Sequence, residues 1–267
     1  MKNKVAIITG GANGLGKALA FELYKQGCHL VLLDIDYDNL EKIKKEWQTS
    51  EQRISIYRAD VSDENEIIKC KEEILKIHPH IDLLINNAGV SISRFFEETE
   101  IKDFKRLFDI NFWGTVFCTK HFLPELRKRD PSYVVNIVSG FGLMGFPGKT
   151  AYASSKSAVI GFTNSLKTEL HHSAVRVSFV IPPPLATGLV LKGIHIDDKK
   201  RNKEDNFLKK RGMPVEKAAK KIIRKVEKGC YRIVIGRSTY WTDLSLRLFP
   251  ATVHNMIGKN KKRIDFI

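Results

Sequence analysis

The chain has 267 residues, 43% of them hydrophobic, and 45 basic against 30 acidic side chains leave a net charge of +15. That much apolar material excludes a disordered chain, and single α/β domains reach this length. The positive charge can attract nucleic acid, anionic membrane or acidic substrates, but it says nothing about fold. Cys28, Cys70, Cys118 and Cys230 are scattered without a CxxC pair, and the histidines, His171-His172 and His78/His80 included, lack a carboxylate or thiolate partner at metal-site spacing. A reduced, cytoplasmic protein with neither a disulfide framework nor a metal site is expected. Met1-Lys2-Asn3-Lys4 runs straight into an apolar stretch too short for a signal or membrane segment.

Val5-Ala6-Ile7-Ile8 is a continuous apolar run, the pattern of a strand buried on both faces of a parallel sheet. Thr9-Gly10-Gly11-Ala12-Asn13-Gly14-Leu15-Gly16 follows, and Lys17 to Gln26 then has helical period. Strand, glycine-rich turn and helix together make a phosphate cradle. Glycines let the backbone approach a pyrophosphate, and the helix start offers free N–H groups and partial positive charge. Gly10, Asn13, Gly14, Leu15 and Gly16 are therefore candidate cofactor contacts; a tight turn needing φ > 0 is the plainer use of the glycines. His29 to Leu33 is a second strand ending in Asp34, roughly twenty residues on, where a dinucleotide-binding unit sets a carboxylate against the adenosine ribose. A carboxylate there repels a 2′-phosphate, so NAD is preferred over NADP, with Lys17 alone pulling towards NADP. Asp34 or Asp36 can equally cap the helix Tyr37 to Trp47.

Ile54 to Tyr57 reads as a third strand, closing near Asp60-Val61, and Glu64 to Ile77 as a charged helix. Ile81 to Ile85 is a fourth strand running into Asn86-Asn87-Ala88-Gly89, small and amide-bearing residues that suit a cofactor crossing a sheet edge or, equally, a turn. A long helix is expected over Lys102 to Arg129, with Asn111 inside it and Pro124 near its end. Tyr133 to Val138 is a fifth strand delivering Ser139, Thr150 to His172 a long helix, and Val175 to Ile181 a sixth strand. Val215 to Lys228 is an amphipathic helix, and Tyr231 to Ile235 a seventh strand. This alternation predicts a Rossmann-like, doubly wound, seven-stranded parallel sheet flanked by helices, one domain over 1–267.

Tyr152-Ala153-Ser154-Ser155-Lys156 carries the chemistry. Tyrosine and lysine four apart on a helix leave the same face. An ammonium beside a phenol favours the phenolate, moving a group that titrates at about 10 towards working pH. Ser139 can hydrogen-bond a carbonyl or alcohol oxygen in the same small volume. The trio suits proton transfer to an oxygen while hydride moves at its carbon.

The ordered set resembles the short-chain dehydrogenase/reductase family over nearly the whole chain. The family's TGxxxGxG motif falls on Thr9, Gly10, Gly14 and Gly16, its adenine-side aspartate on Asp60 next to Val61, and its NNAG stretch on Asn86 to Gly89. Its tetrad matches Asn111, Ser139, Tyr152 and Lys156. The resemblance implies Tyr152 as general acid and base. Lys156 would lower the tyrosine pKa and bind the nicotinamide ribose, with Ser139 polarising the substrate oxygen. Asn111 would hold a water between Lys156 and solvent, or else bond backbone as a helix-interior amide. It also implies Asn87, Ala88, Gly89 and Thr187 against NAD (NADP as the alternative), a small-molecule alcohol or carbonyl substrate, and a homodimer or homotetramer joined through the Thr150 to His172 helix. One departure is Pro183, standing where the family has glycine after the sixth strand; it removes an N–H and fixes φ near Thr187.

Leu185 to Met213 lacks periodicity and is crowded with charge, as in Asp197-Asp198-Lys199-Lys200-Arg201; it is expected to be a substrate lid over 185–213. Leu189, Val190, Leu191, Ile194, Phe207 and Leu208 on the lid, with Ser91, Phe95, Phe96, Phe141, Leu143, Met144 and Phe146, are the expected pocket, favouring an apolar or acyl-type substrate. Residues 238–267 read as a C-terminal helix and a basic tail. Its apolar residues are weighed as core or subunit packing ahead of a membrane-surface anchor, since Pro250 breaks the helix. The expected activity is NAD(P)(H)-dependent interconversion of a secondary alcohol and a ketone; the alternative is a non-catalytic nucleotide-binding scaffold. Nucleic-acid binding is not expected, because the charges are dispersed and no reading motif is present.

Overall fold

The computed structural model describes residues 1–48, 53–190, 193–195 and 197–260. Its strands are β1 (Val5–Thr9), β2 (His29–Asp34), β3 (Ile54–Arg58), β4 (Leu83–Asn86), β5 (Ile92–Ser93), β6 (Ser132–Ile137), β7 (Val175–Ile181), β8 (Ile194–His195) and β9 (Arg232–Val234). All but β5 and β8 join one parallel sheet in the order β3-β2-β1-β4-β6-β7-β9; β5 and β8 pair with each other. The sequence-predicted architecture is the one observed.

The helices are α1 (Gly14–Lys25), α2 (Tyr37–Trp47), α3 (Glu64–Ile77), α4 (Ile101–Phe108), α5 (Gly114–Leu126), α6 (Thr150–Glu169), α7 (Asp198–Arg211), α8 (Val215–Glu227), α9 (Arg237–Leu248) and α10 (Pro250–Lys259). Every residue of β1 is buried, because helices cover both faces. Ala6, Ile8, Leu30 and Leu32 face α1, α2 and α8, while Ile7, Val31 and Leu33 face α3, α5 and α6. Each of these Ile, Leu and Val side chains contributes about 1.5–3 kcal/mol of burial, so the alternating strand faces hold the two helix layers in place. Strand order reverses between β1 and β4, and the crevice at their carboxyl ends is the usual ligand position in such sheets.

Three segments differ from expectation. The helix expected over Lys102 to Arg129 is interrupted by a π-helical turn at Asp109–Trp113, placed between α4 and α5 and containing Asn111. Hydrophobic period cannot show one extra residue in a turn, and such widened turns concentrate at functional sites. The charged stretch 185–213 is not without structure: it holds β8 and α7. That helix is supported by its Asp197 cap, whose carboxylate accepts the Lys200 N–H at 2.7 Å, and by Lys209–Asp205 and Arg201–Asp198 pairs at 2.6 and 3.0 Å. A helix built on caps and ion pairs leaves no apolar stripe to read. Finally, α6 ends at Glu169, short of His172. At the C-terminus Pro250 divides α9 from α10, as its chemistry requires. Leu191 and Lys261 to Ile267 lie outside the described residues.

Candidate active site

The glycine turn joins β1 to α1 at the switch point. Gly10 and Gly14 have φ of +65° and +52°, conformations that a side chain strains. A Cβ on Gly10 would lie 2.8 Å from the Ala88 Cα, and one on Gly14 would lie 3.0 Å from the Thr187 oxygen. Bare backbone is thus required where Ala88 and Thr187 close on the turn. Leu15 and Gly16 open α1, and Asn13, its N-cap, makes no side-chain cap. Its amide donates instead to Asp36 at 2.8 Å. The Asn13 side chain therefore does not cap the positive helix start. These residues fit the pyrophosphate of a dinucleotide.

Asp34 accepts the Ala12 N–H and the Asp36 N–H, both at 3.0 Å, and Asp36 caps α2 by accepting the Asn39 N–H at 3.4 Å. The helix cap expected of one of these aspartates falls to Asp36, while Asp34 braces the glycine turn. Asp60 accepts the Ser62 N–H at 2.9 Å and its hydroxyl at 2.6 Å, while Val61 packs beneath Gly114. Asn87 donates its backbone N–H to the Thr9 hydroxyl and its amide to the Thr9 and Gly10 carbonyls, at 3.0, 3.0 and 3.1 Å. Ala88 donates to the same hydroxyl at 3.0 Å, so Asn87 and Ala88 stitch β4 to the glycine turn. Thr187 reaches that turn in spite of Pro183. Its hydroxyl accepts the Leu189 N–H at 3.3 Å.

Tyr152 and Lys156 stand one turn apart on α6, both buried. Ser139 follows β6, accepts the Phe141 N–H at 3.2 Å and has its hydroxyl close enough to the Tyr152 phenol to affect its acidity. Lys156 donates to the Ile137 carbonyl at 3.1 Å. Asn111 accepts the Val90 N–H at 2.9 Å and donates to the Val90 carbonyl and the Ser155 hydroxyl, each at 3.0 Å. It takes the backbone-bonding role, and lies across Gly89 from Lys156: a Cβ on Gly89 would be 2.9 Å from the Asn111 Oδ1 and 3.4 Å from the Lys156 Nζ. The four tetrad residues and Gly89 are therefore gathered in one place.

The expected electrostatics differ. Burial pushes the Tyr152 phenol up to about 12, with the Ser139 hydrogen bond pulling it down and the charge of Glu204 adding to the rise. Burial also brings the Lys156 ammonium down to about 8. Desolvation disfavours both charged forms and decides both directions, a cause that a four-residue spacing does not show.

Sequence reasoning missed a buried cluster beside Tyr152. Lys149, only 2% exposed and three residues before it, donates to Glu204 of α7 at 2.7 Å, to Ser91 at 3.4 Å and to Ser93. Glu204 also accepts from the Ser93 hydroxyl at 2.8 Å and sits 3.2 Å from the His195 Nε2. Burial alone would raise the Glu204 carboxyl, but hydrogen bonding from His195 and Lys149, with the Lys149 charge, holds it at about 2. Lys149 and Glu204 are 55 positions apart, so no spacing announces the pair. Phe141 meets Tyr152 edge-on with centroids 6.4 Å apart. Leu143, Met144 and Phe146 line an open cavity of about 510 Å³ with Thr150, Ala153 and Ser154 of α6. Phe95 and Phe96 are exposed and do not enclose the site.

A family model described as short chain dehydrogenase matches residues 4–194. The chain belongs to the short-chain dehydrogenase family. SadH of Mycobacterium tuberculosis is 31% identical to this short-chain dehydrogenase over 261 residues, covering 96% of the chain and 95% of SadH. The 3-ketodihydrosphingosine reductase of Mus musculus is 30% identical over 257 residues, covering 92% and 75%. A short-chain dehydrogenase/reductase from Burkholderia phymatum, solved in complex with NAD, superposes with a TM-score of 0.84 at 23% identity, covering 92% of this chain and 95% of the other; it shares the fold. Among the described residues of this short-chain dehydrogenase no group of three or more His, Cys, Asp or Glu is placed to hold a metal ion. No described helix is long and apolar enough to cross a membrane.

Proposed function

We propose that the chain is an NAD(P)(H)-dependent oxidoreductase that interconverts a secondary alcohol and a ketone on an apolar or acyl-type substrate, as one catalytic unit with 185–213 as its lid. The observation that carries this reading is Tyr152 and Lys156 buried one turn apart on α6 beside Ser139, at the end of the sheet that also holds the glycine turn. A bound nicotinamide supplies or accepts the hydride. Tyr152 gives its proton to the carbonyl oxygen in reduction and takes it back in oxidation, and a phenol held protonated by burial is ready for the first direction. Ser139 donates to the same oxygen and fixes its place. Lys156, brought to about 8 by burial, can exchange protons close to neutral pH and would hydrogen-bond the nicotinamide ribose. To Asn111 we assign the relay water as well as the support of Val90 and Ser155.

NAD is the preferred cofactor, because Asp34 stands fixed beside the turn and Lys17 lies over the Trp47 ring, 5.8 Å from its centroid. Gly10, Asn13, Gly14, Leu15 and Gly16 would hold the pyrophosphate. Asp60 and Val61 would flank the adenine, with Asn87, Ala88, Gly89 and Thr187 towards the nicotinamide. An apolar substrate is supported by Phe141 against Tyr152 and by a relative named for reducing 3-ketodihydrosphingosine. None of the four cysteines is in a disulfide, in keeping with a cytoplasmic enzyme. Substituting Tyr152→Phe removes the proton donor and leaves the fold. Turnover with a panel of ketones and NADH is expected to vanish while NADH fluorescence still reports binding; turnover that survives would refute the assignment.

A further inference from the structure

Five large apolar side chains stand in solvent close to the end of the described chain. Tyr240 is 54% exposed, Trp241 61%, Leu248 61%, Phe249 62% and Met256 59%. On α9, Tyr240, Leu244 and Leu248 repeat every fourth residue with Trp241 beside them, so they share one face. The buried positions Thr239, Asp243 and Leu246 occupy the opposite face. Helix α10 has no buried residue. It is tethered by His254, whose Nε2 accepts the Gly145 N–H at 3.1 Å. Of the core or subunit packing favoured from sequence for this segment, core packing does not account for these side chains.

Charge indicates what covers them. Arg237 and Arg247 flank the same face of α9, and α10 ends in Lys259. Residues 237–263 hold six basic side chains and one acidic, Asp243. Asp243 is buried and accepts from Arg232 at 3.2 Å, so among the described residues the exposed charges of α9 and α10, Arg237, Arg247 and Lys259, are all basic. A second copy docked about a two-fold axis would bring these basic groups against their own mates, which repulsion opposes. An anionic bilayer satisfies both features, since aromatic rings settle at the interface and basic side chains meet the head groups. We propose that the exposed α9–α10 face docks on the surface of an anionic phospholipid bilayer. Through His254 this docking would bring the loop between Ser139 and α6, one wall of the candidate site, near the membrane.

Flotation of the full chain with vesicles tests it. Binding is expected with phosphatidylcholine–phosphatidylserine vesicles at low salt, little with phosphatidylcholine alone, and release on adding salt. Each basic side chain near an anionic surface raises binding roughly fivefold, so R247E/K259E is expected to lose about 25-fold or more. W241A/F249S is expected to lose most binding while its circular dichroism matches the parent. Absence of flotation at low salt, equal flotation with neutral vesicles, or variants that float like the parent would overturn the proposal. So would loss of a solution dimer in W241A/F249S without vesicle binding, which would name a second copy as the occupant. NADH fluorescence of the variants is expected to be unchanged, and flotation reads docking whether or not Tyr152 turns out to be the acid.

Discussion

Two neighbouring aspartates do different work at the same turn. Asp34 holds the Ala12 and Asp36 N–H groups, and that anchoring keeps its charge where a ribose 2′-oxygen is expected to lie. Asp36 holds α2. Replacing Asp34 with alanine removes the charge that would repel a 2′-phosphate, and the ratio of kcat/KM with NADH to that with NADPH is expected to fall by about tenfold or more. Loss of the two acceptor bonds is expected to lower stability by about 1 kcal/mol, read from urea unfolding. An unchanged cofactor ratio would separate Asp34 from cofactor choice. Tyr152 teaches a second lesson at this scale. Its neighbours could be named from a four-residue spacing, but the sign of its pKa shift depends on how much protein surrounds it.

Between elements, the Lys149–Glu204 pair joins the start of α6 to α7, with Ser91, Ser93 and His195 completing its hydrogen bonds. A buried pair does not stabilise strongly in itself, but removing one partner strands the other's charge. K149M is therefore expected to cost about 3–5 kcal/mol, and K149M/E204L to recover most of it, both measured by urea unfolding. If the double variant were as unstable as the single, charge pairing would not be the cause. The pH dependence has a definite sign. The Glu204 carboxyl titrates at about 2 in the fold against 4.5 ordinarily, so its contribution is present above about pH 4.5 and is lost as pH falls towards 2. Removing the carboxylate in E204L is expected to flatten that acid limb. Cap chemistry explains why α7 escaped a reading by periodicity, just as the extra residue at Asp109–Trp113 escaped it in the helix that carries Asn111.

For the molecule as a whole, the outer face of α6 and the loop before it leave an open cavity of about 510 Å³ against Thr150, Ala153, Ser154 and Ser157. The family resemblance makes α6 the expected subunit contact of a homodimer or homotetramer. Sedimentation velocity is expected to give a dimer or larger species, and S154R to shift it towards monomer; a monomer at all concentrations would remove α6 from that role. At this scale the chain's own pattern went far. Continuous apolar strands, amphipathic helices and glycines at a strand-to-helix junction determine a doubly wound parallel sheet, because those periods and that turn admit few other arrangements. They also put Asn111, Ser139, Tyr152 and Lys156 in the right order along the chain. Tertiary structure alone decided which aspartate braces the turn and that Asn111 bonds backbone. It also brought Lys149 to Glu204 and left Trp241 and Phe249 in solvent. Those outcomes depend on burial and on contacts between residues far apart in sequence, and neither quantity has a period that a linear chain can display.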